Sequence, residues 1–161
     1  MLSEAMENYL KTIHEILERE ERATTSAIAA RLEIAAPSVT AMIKRLADLG
    51  LVTYERYRGV RLTGPGKKAA LEIVRHHRLI ELYLHEALGV PWDRVHDEAE
   101  KLEHVISEDL ERRMAEALGD PTHDPHGSPI PRLDGTQVRV DSQALADTAP
   151  DRLAGVIMIT D

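Results

Sequence analysis

The chain has 161 residues, enough for one ordinary domain or two small ones, and 43% of them are hydrophobic, enough to build a core. The net charge of −8 at pH 7, taken alone, disfavours a nucleic-acid partner. The absence of cysteine excludes a disulfide framework and a thiolate metal site, so any metal must be held by His, Asp, Glu, Asn or backbone oxygen.

The charge is unevenly distributed along the chain. Residues 1–75 carry 12 Lys and Arg against 10 Asp and Glu, a net of +2, whereas residues 76–161 carry 8 against 18, a net of −10. Between residues 35 and 68 there are 7 basic side chains and 2 acidic ones. A basic module joined to an acidic one is typical of a DNA-binding half linked to a metal-binding or regulatory half.

Helical periodicity predicts three helices in the first third of the chain. The first covers residues 3–20, with Ser3 as its N-cap. Its apolar positions recur at helical spacing: Met6, Tyr9, Leu10, Ile13, Ile16 and Leu17. Two shorter helices are predicted over residues 24–32 and 37–49. Pro37 suits the first turn of the last helix, where its missing N–H costs nothing.

The rest of the chain is predicted to alternate between regular elements and Pro- or Gly-rich connections. Segment 51–63, LVTYERYRGVRLT, is rich in Val, Tyr and Thr around an Arg-Gly turn and predicts a β-hairpin. Long helices are expected over residues 64–88 and 92–118. The stretch 120–135 contains four prolines and two glycines, which predicts a stiff linker. An apolar run at 155–160 is typical of a β-strand.

The order helix, helix, turn, helix and basic hairpin predicts a winged helix-turn-helix. In the third helix Val39, Met42, Ile43, Leu46 and Leu49 form the expected buried stripe. The outward residues of this helix and the arginines of the wing are the candidates for DNA contact: Pro37, Ser38, Thr40, Lys44, Arg45, Arg56, Arg58 and Arg61. Winged helices also serve as protein-interaction modules, but the basic excess of this region favours DNA.

The acidic half contains histidines and glutamates at one-turn spacings. In VHDEAEKLEHVI, residues 95–106, two His and two Glu fall within an arc of about 100° on one helical face: His96, Glu100, Glu103 and His104. This face is either an ion-paired surface or a metal site. The preceding helix adds His77 and Glu81, which could meet His96 if the helices pack antiparallel. Imidazole and carboxylate without sulfur suit Mn²⁺, Fe²⁺, Co²⁺ or Zn²⁺.

Several segments resemble the iron- and manganese-dependent repressors of the diphtheria toxin repressor type. They are HHRLIELYL from residue 76, VHDEAEKLEHVISEDLERRM from residue 95, HGSPIPRLDG from residue 126, the wing YRGVRLT and the opening MENYLKTIHEI. The resemblance covers nearly all of residues 3–135. It implies a homodimer whose winged helices bind a palindromic operator once metal fills sites between helices. The acidic helices would form both the metal sites and the dimer interface.

Carried over residue by residue, the resemblance implies an ancillary metal site of His77, Glu81 and His96 and a primary, activating site of Glu100, Glu103 and His104. Glu100 stands where iron-type members have cysteine and manganese-type members glutamate, which favours manganese. The first helix departs from both types. Asn8 occupies the position of an iron-type methionine or a manganese-type aspartate, and Lys11 replaces a manganese-type glutamate. Asn8 can still offer a carboxamide oxygen, whereas a protonated Lys11 cannot ligate.

These observations predict a metal-dependent transcriptional repressor, not an enzyme, activated by Mn²⁺ or Fe²⁺, with Zn²⁺, Co²⁺ or Cd²⁺ as substitutes in vitro. Its partners are a second copy of the chain and a double-stranded DNA operator. Two alternatives stay open: a metal-independent winged-helix regulator, and a metalloenzyme, which would need an open coordination position facing a substrate pocket. No run approaches the roughly 18 apolar residues of a membrane helix, so no membrane partner and a cytoplasmic location are expected.

The predicted fold class is mainly α. A winged helix-turn-helix domain is expected over residues 1–63 and a helical metal-binding and dimerisation domain over residues 64–135. For residues 136–161 the resemblance implies a linker and the start of a truncated SH3-like domain, which would leave a short β remnant at the C-terminus.

Overall fold

The computed structural model describes residues 2–55, 58–124 and 126–136, which contain six helices and one two-stranded sheet. In chain order they are α1 (Glu4–Arg19), α2 (Thr25–Arg31), α3 (Ala36–Asp48), β1 (Val52–Glu55), β2 (Gly59–Leu62), α4 (Gly64–Leu88), α5 (Val95–Leu102) and α6 (Glu108–Ala117). The predicted mainly helical class with a small antiparallel hairpin is confirmed. The strand expected at 155–160 lies outside the described residues.

The chain divides into two compact units, Met1–Val74 and Arg75–Asp161, and the boundary falls within α4. The core of the first unit is built from buried side chains of α1, α2, α3, the hairpin and the start of α4. Its members include Leu10, Ile13, Ile28, Val39, Leu46, Val52, Val60 and Ala70. Among the described residues, no single helix has both the length and the apolar composition needed to cross a membrane.

The helices of the first unit begin at the residues that local chemistry favours. The Ser3 hydroxyl caps α1 by accepting a hydrogen bond from the Met6 N–H, and the Thr24 hydroxyl caps α2 in the same way. Pro37 lies in the first turn of α3, as predicted. The expectation that Leu49 is buried is wrong, because this residue is the C-cap of α3 and its side chain is 54% exposed.

The wing is an antiparallel hairpin in which Val52 pairs with Leu62 and Tyr54 with Val60. The Val60 N–H also donates to the Ala23 carbonyl at 2.8 Å, which ties the hairpin to the segment before α2. Gly59 has a φ of +79°, and a Cβ at this position would lie 2.5 Å from the Ala23 oxygen. Glycine is therefore required here both by the backbone conformation and by the close approach.

The start of α4 is fastened to the base of the hairpin. The Thr63 hydroxyl contacts the carbonyls of Gly50 at 2.7 Å and Leu51 at 3.0 Å, and it accepts a hydrogen bond from the Gly66 N–H at 3.1 Å. A Cβ on Gly66 would collide with the Leu51 carbonyl. These contacts fix where α4 leaves the hairpin.

The second unit contains the rest of α4, α5, α6 and the chain that follows. Its apolar cluster consists of Leu79, Ile80, Leu84, Val95, Ala99, Met114 and Ala115. The prediction of one helix over residues 92–118 is wrong, because α5 ends at Leu102 and α6 begins at Glu108. Ser107 has an extended backbone and caps α6 by accepting from the Leu110 N–H, and three acids follow in the first turn. This start signal outweighs the continuous helical periodicity.

The prediction of a stiff linker over residues 120–135 also needs correction. Ile130 is 2% exposed, and its N–H donates to the Thr122 carbonyl at 2.8 Å, so the chain turns back on itself. Two arginines of α4 reach this segment: Arg75 donates to the Pro131 carbonyl at 2.8 Å and Arg78 donates to the Pro129 carbonyl. The proline-rich segment is therefore packed within the second unit.

Candidate metal centre and DNA-binding surface

The first unit presents its predicted DNA-contacting residues to solvent. Those of α3 that are exposed are Pro37, Ser38, Thr40, Lys44 and Arg45, and on the hairpin Arg58 and Arg61 are exposed. Arg56 lies outside the described residues. Arg58 is paired with Glu55 at 3.3 Å, and the Thr40 hydroxyl donates to the Ala36 carbonyl at 3.2 Å. The cations Lys44, Arg45 and Arg61 thus lie on the surface of regular elements, where side chains can reach phosphates.

The second unit brings together the three residues that the resemblance assigned to an ancillary site, here called site A: His77, Glu81 and His96. The His77 Nε2 atom lies 3.0 Å from Glu81 Oε1 and 3.1 Å from His96 Nδ1. The His96 Nδ1 atom lies 3.2 Å from the same Glu81 oxygen. One turn of α4 aligns His77 with Glu81, and α5 supplies His96.

Glu81 stays ionised at neutral pH although it is buried. Burial raises the pKa of this carboxyl, but hydrogen bonds from His77 and His96, with the nearby His77 and His126 rings, lower the pKa to about 2. A buried carboxylate beside two imidazoles is a suitable set of donors for a divalent cation.

The residues assigned to the primary site, here called site B, are Glu100, Glu103 and His104. Glu103 is completely buried, and its Oε1 atom lies 3.3 Å from His104 Nε2. Its other oxygen, Oε2, contacts His77 Nδ1. Ligand atoms of Glu100 and Glu103 come within 4.8 Å of each other and of His77. His77 thus has one ring nitrogen in each site, a feature that the sequence reasoning missed.

A third grouping within the same 4.8 Å limit combines Glu81 with Asp124 and His126. His126 Nδ1 lies 3.7 Å from Glu81 Oε2, the oxygen that does not face site A. Burial raises the pKa of Asp124, and the neighbouring Glu81 charge adds to this effect. Asp124 and His126 were not predicted, because they lie in the segment interpreted as a linker. The sequence did offer one signal for them, namely that residues able to bind a metal recur next to prolines in this segment.

The donor atoms of sites A and B suit a divalent cation. The His77 imidazole lies between two buried carboxylates, Glu81 at 3% and Glu103 at 0% exposure, and His96 and His104 lie beside these carboxylates. Imidazole nitrogens and carboxylate oxygens are common ligands of divalent first-row metals. The residues present therefore fit a metal with nitrogen and oxygen ligands. Asn8 lies on α1 of the first unit, apart in sequence from the other six candidates.

Taken together, these observations define a class of protein: a winged helix-turn-helix unit followed by a helical unit with a cluster of His and carboxylate side chains that could hold a metal. The family model described as "Iron dependent repressor, N-terminal DNA binding domain" matches residues 1–60. The one described as "Iron dependent repressor, metal binding and dimerisation domain" matches residues 63–132. The chain belongs to the iron-dependent repressor family.

Individual relatives agree with this assignment. The chain is 40% identical over 132 residues to the iron-dependent repressor IdeR of Mycobacterium leprae, which covers 82% of the chain and 57% of the relative. It is 38% identical over 133 residues to the diphtheria toxin repressor of Corynebacterium diphtheriae, with 83% and 59% covered. The chain thus spans little more than half the length of these relatives.

Solved structures extend the likeness to the fold. A manganese-dependent transcriptional repressor in complex with manganese superposes with a TM-score of 0.87 at 39% identity, covering 97% of this chain and 72% of that chain. The structure of ScaR with bound Zn²⁺ superposes with a TM-score of 0.75 at 33% identity, covering 86% of this chain and 64% of that chain.

Proposed function

We propose that the protein is a metal-dependent transcriptional repressor that binds a palindromic DNA operator as a homodimer and is activated by Mn²⁺. The observation that carries the proposal is the His77 imidazole between the buried carboxylates of Glu81 and Glu103, in a chain whose other unit exposes cations on a winged helix. A regulator of this kind acts in the cytoplasm, where it can reach DNA. The relatives are named repressors, and no observation favours a metalloenzyme.

The residues of sites A and B would hold the metal, and the chain itself would provide the switch. A bound divalent ion supplies positive charge among the acids of the second unit. Without it, Glu81, Glu103 and Glu100 repel one another, which favours conformations that separate them. Because metal and DNA then favour the same conformation, each must strengthen the binding of the other. Asn8 is proposed to contribute its carboxamide oxygen from α1.

Manganese is proposed because site B consists of Glu100, Glu103 and His104 without sulfur, and hard oxygen ligands suit Mn²⁺. Zn²⁺ binds most sites of this kind more tightly than Mn²⁺, so preference has to come from geometry. Mn²⁺ is expected to bind all the oxygen ligands of such a site, whereas Zn²⁺, which prefers four tetrahedral ligands, is expected to leave some of them unbound. Fe²⁺ is the second candidate, and Co²⁺ and Cd²⁺ are expected to substitute in vitro.

The proposed dimer interface uses the exposed apolar side chains of the second unit. Within the part of the chain that the structure describes, they include Leu88, Trp92, Leu102, Val105 and Leu110, of which Val105 is 74% exposed. Val105→Glu is expected to weaken dimerisation by about tenfold or more, because it buries a charge in the interface. Tyr54→Glu, an exposed position on the hairpin, is the matched control. Sedimentation with Mn²⁺ present measures both, and a wild-type monomer at micromolar concentration would contradict the proposal.

The decisive experiment measures DNA affinity against metal. Duplexes are selected by the protein from a random-sequence pool in the presence of Mn²⁺, and binding is then titrated with Mn²⁺, Fe²⁺, Co²⁺, Zn²⁺ or chelator. Saturating Mn²⁺ is expected to raise the affinity about a hundredfold, at the upper end of typical coupling between two sites, and Zn²⁺ to raise it less. Equal affinity with metal and with chelator would identify a metal-independent winged-helix regulator instead.

A further inference from the structure

A buried polar network lies beside site B and has no part in the metal-ligand assignment. Its members are Arg75 and His76 of α4 and Glu111 of α6. His76 is 7% exposed and Glu111 is 3% exposed. Ionisable groups are rarely buried to this extent unless they are paired, and here His76 and Glu111 lie 3.4 Å apart.

The contacts run from α6 through α4 to the end of α5. Arg75 donates through Nε to Glu111 Oε1, and the other oxygen of Glu111 lies 3.4 Å from His76 Nε2. The opposite ring nitrogen, His76 Nδ1, lies 3.1 Å from the backbone carbonyl oxygen of Glu103. Because a carbonyl can only accept, Nδ1 must carry a proton and donate it.

We propose that His76, held by Glu111 and Arg75, is a positioning residue for site B that fixes the backbone of Glu103 and so directs the Glu103 carboxylate. This inference rests on the proposed function, because it assumes that site B binds metal. The hydrogen bond from His76 reaches the backbone carbonyl of Glu103, so the proposed effect acts through the backbone.

The position of Glu103 in the chain explains why it would need this support. Glu103 is the C-cap of α5, a helix of eight residues, and its carbonyl has passed the last turn, where helical partners run out. The same residue carries a fully buried carboxylate between His77 and His104. If its carbonyl lost the donor, the helix end could fray, and the carboxylate would lose its fixed direction.

Glu111 is well suited to orient His76. Burial raises the pKa of Glu111, but the nearby His76 ring and the hydrogen bond from Arg75 outweigh burial and lower the pKa, so the carboxylate stays ionised. Arg75 is held in turn by the Pro131 carbonyl. Buried ion networks contribute little net stability compared with apolar packing, but they can specify one geometry. Orientation of the Glu103 carbonyl is a geometric role of this kind.

The test compares two substitutions of His76 in the full chain. Mn²⁺ binding is titrated, and the unbound ion is followed by its electron paramagnetic resonance signal. The step lost in Glu100→Ala identifies site B, and the step lost in His96→Ala identifies site A. His76→Leu is expected to weaken site B about tenfold, as is usual for outer-shell partners of metal ligands. His76→Asn places an amide N–H near the position of Nδ1, so it is expected to restore most of that loss.

Site A provides the internal control. Its Mn²⁺ affinity should change by less than about twofold in both variants, which is the size of effect expected of an ordinary surface substitution. The proposal is overturned if His76→Leu leaves site B unchanged, if His76→Asn binds as weakly as His76→Leu, or if both sites weaken equally. Should His76→Leu fail to fold by circular dichroism, Glu111→Gln retains the side-chain size and removes the charge. It is expected to weaken site B about threefold, and an unchanged site B would also overturn the proposal.

The outcome is separable from the fate of the proposed function. If Mn²⁺ raises DNA affinity but His76→Leu leaves site B intact, the positioning role fails alone. If site B responds to His76 while DNA affinity ignores Mn²⁺, the repressor mechanism fails and the positioning role stands.

Discussion

The candidate functional residues are exposed to solvent in the first unit and largely buried in the second. In the first unit the candidates are cations on the surface of α3 and the hairpin, such as Lys44 and Arg61, and solvent surrounds them. In the second unit Glu81 and Glu103 are almost completely buried, and they contact other titratable groups. A surface cation can be replaced with little effect on the fold, whereas a buried carboxylate couples ligand binding to the arrangement of the whole unit.

The comparison is tested most strongly at Glu103. Glu103→Ala removes a buried carboxylate that is a proposed ligand of site B and that contacts both His77 and His104. We therefore expect Mn²⁺ affinity at site B to fall by at least about a hundredfold and the metal response of DNA binding to disappear. Isothermal titration calorimetry measures the first effect. The control is Glu98→Ala, since Glu98 is an exposed acid of α5 paired with Lys101 at 2.9 Å. Comparable losses in both variants would contradict the assignment of site B.

A change of donor atom at Glu100 tests a proposed ligand of site B whose side chain is exposed, in contrast to Glu103. Glu100→Cys is expected to raise the ratio of Zn²⁺ to Mn²⁺ affinity about tenfold or more, since thiolate prefers softer metals. Competition dialysis with the two ions measures the ratio. Glu100→Gln removes the charge without adding sulfur and should weaken both ions together. A Cys variant that behaves like the Gln variant would exclude Glu100 as a ligand.

In the first unit, the loss of a single exposed cation should reduce DNA affinity less than the loss of a metal ligand in the second unit. Arg61→Ala is expected to weaken binding to all DNA sequences by roughly fivefold and to reduce the slope of log affinity against log salt by about one, because one phosphate contact is lost. Arg58→Ala should have the smaller effect of the two, since Arg58 is already paired with Glu55. Arg113→Ala, an exposed arginine of α6, is the control. A change in sequence preference alone would mean that Arg61 contacts bases.

The smallest effect is expected at Asn8, which is the only proposed ligand in the first unit. A neutral amide oxygen is a weaker ligand than a carboxylate, so Asn8→Ala is expected to reduce activation of DNA binding by about threefold. Asn8→Asp should increase activation by Mn²⁺ for the same reason. If both variants match the wild type, the side chain of Asn8 does not ligate.

Much of the fold could be predicted because local signals and periodicity agree. The predicted bounds of α4 match the structure, and the hairpin was found from its Val, Tyr and Thr content and its Arg-Gly turn. The break between α5 and α6 was missed because the apolar spacing continues across it, although Ser107 followed by acids is a helix-start signal. The exposure of Leu49 was missed because a helical stripe was extended one residue past the last turn.

The candidate site was only partly predictable. The meeting of His77, Glu81 and His96 could be predicted, because His77 and Glu81 are one helical turn apart and the apolar pattern predicts that the next helix, with His96, packs against theirs. Asp124 and His126 approach Glu81 through turns fixed by local hydrogen bonds, such as the one that the Ser128 N–H donates to the Asp124 carboxylate. The two ring nitrogens of His77 face different sites because of the orientation of its ring, and the spacing of residues along a helix does not determine that orientation.

The contacts of Thr63 and Gly66, which attach the start of α4 to the hairpin, have a consequence for protein engineering. Ala70 belongs to the core of the first unit, so an isolated winged-helix fragment should extend to about Val74 and keep the first turns of α4. A chimera that grafts this unit onto a related partner has to be spliced inside a continuous helix. Each residue gained or lost at the splice rotates everything downstream by about 100° and moves it about 1.5 Å along the axis. Recombination between relatives should therefore succeed only when the helical phase between Gly66 and His77 is preserved.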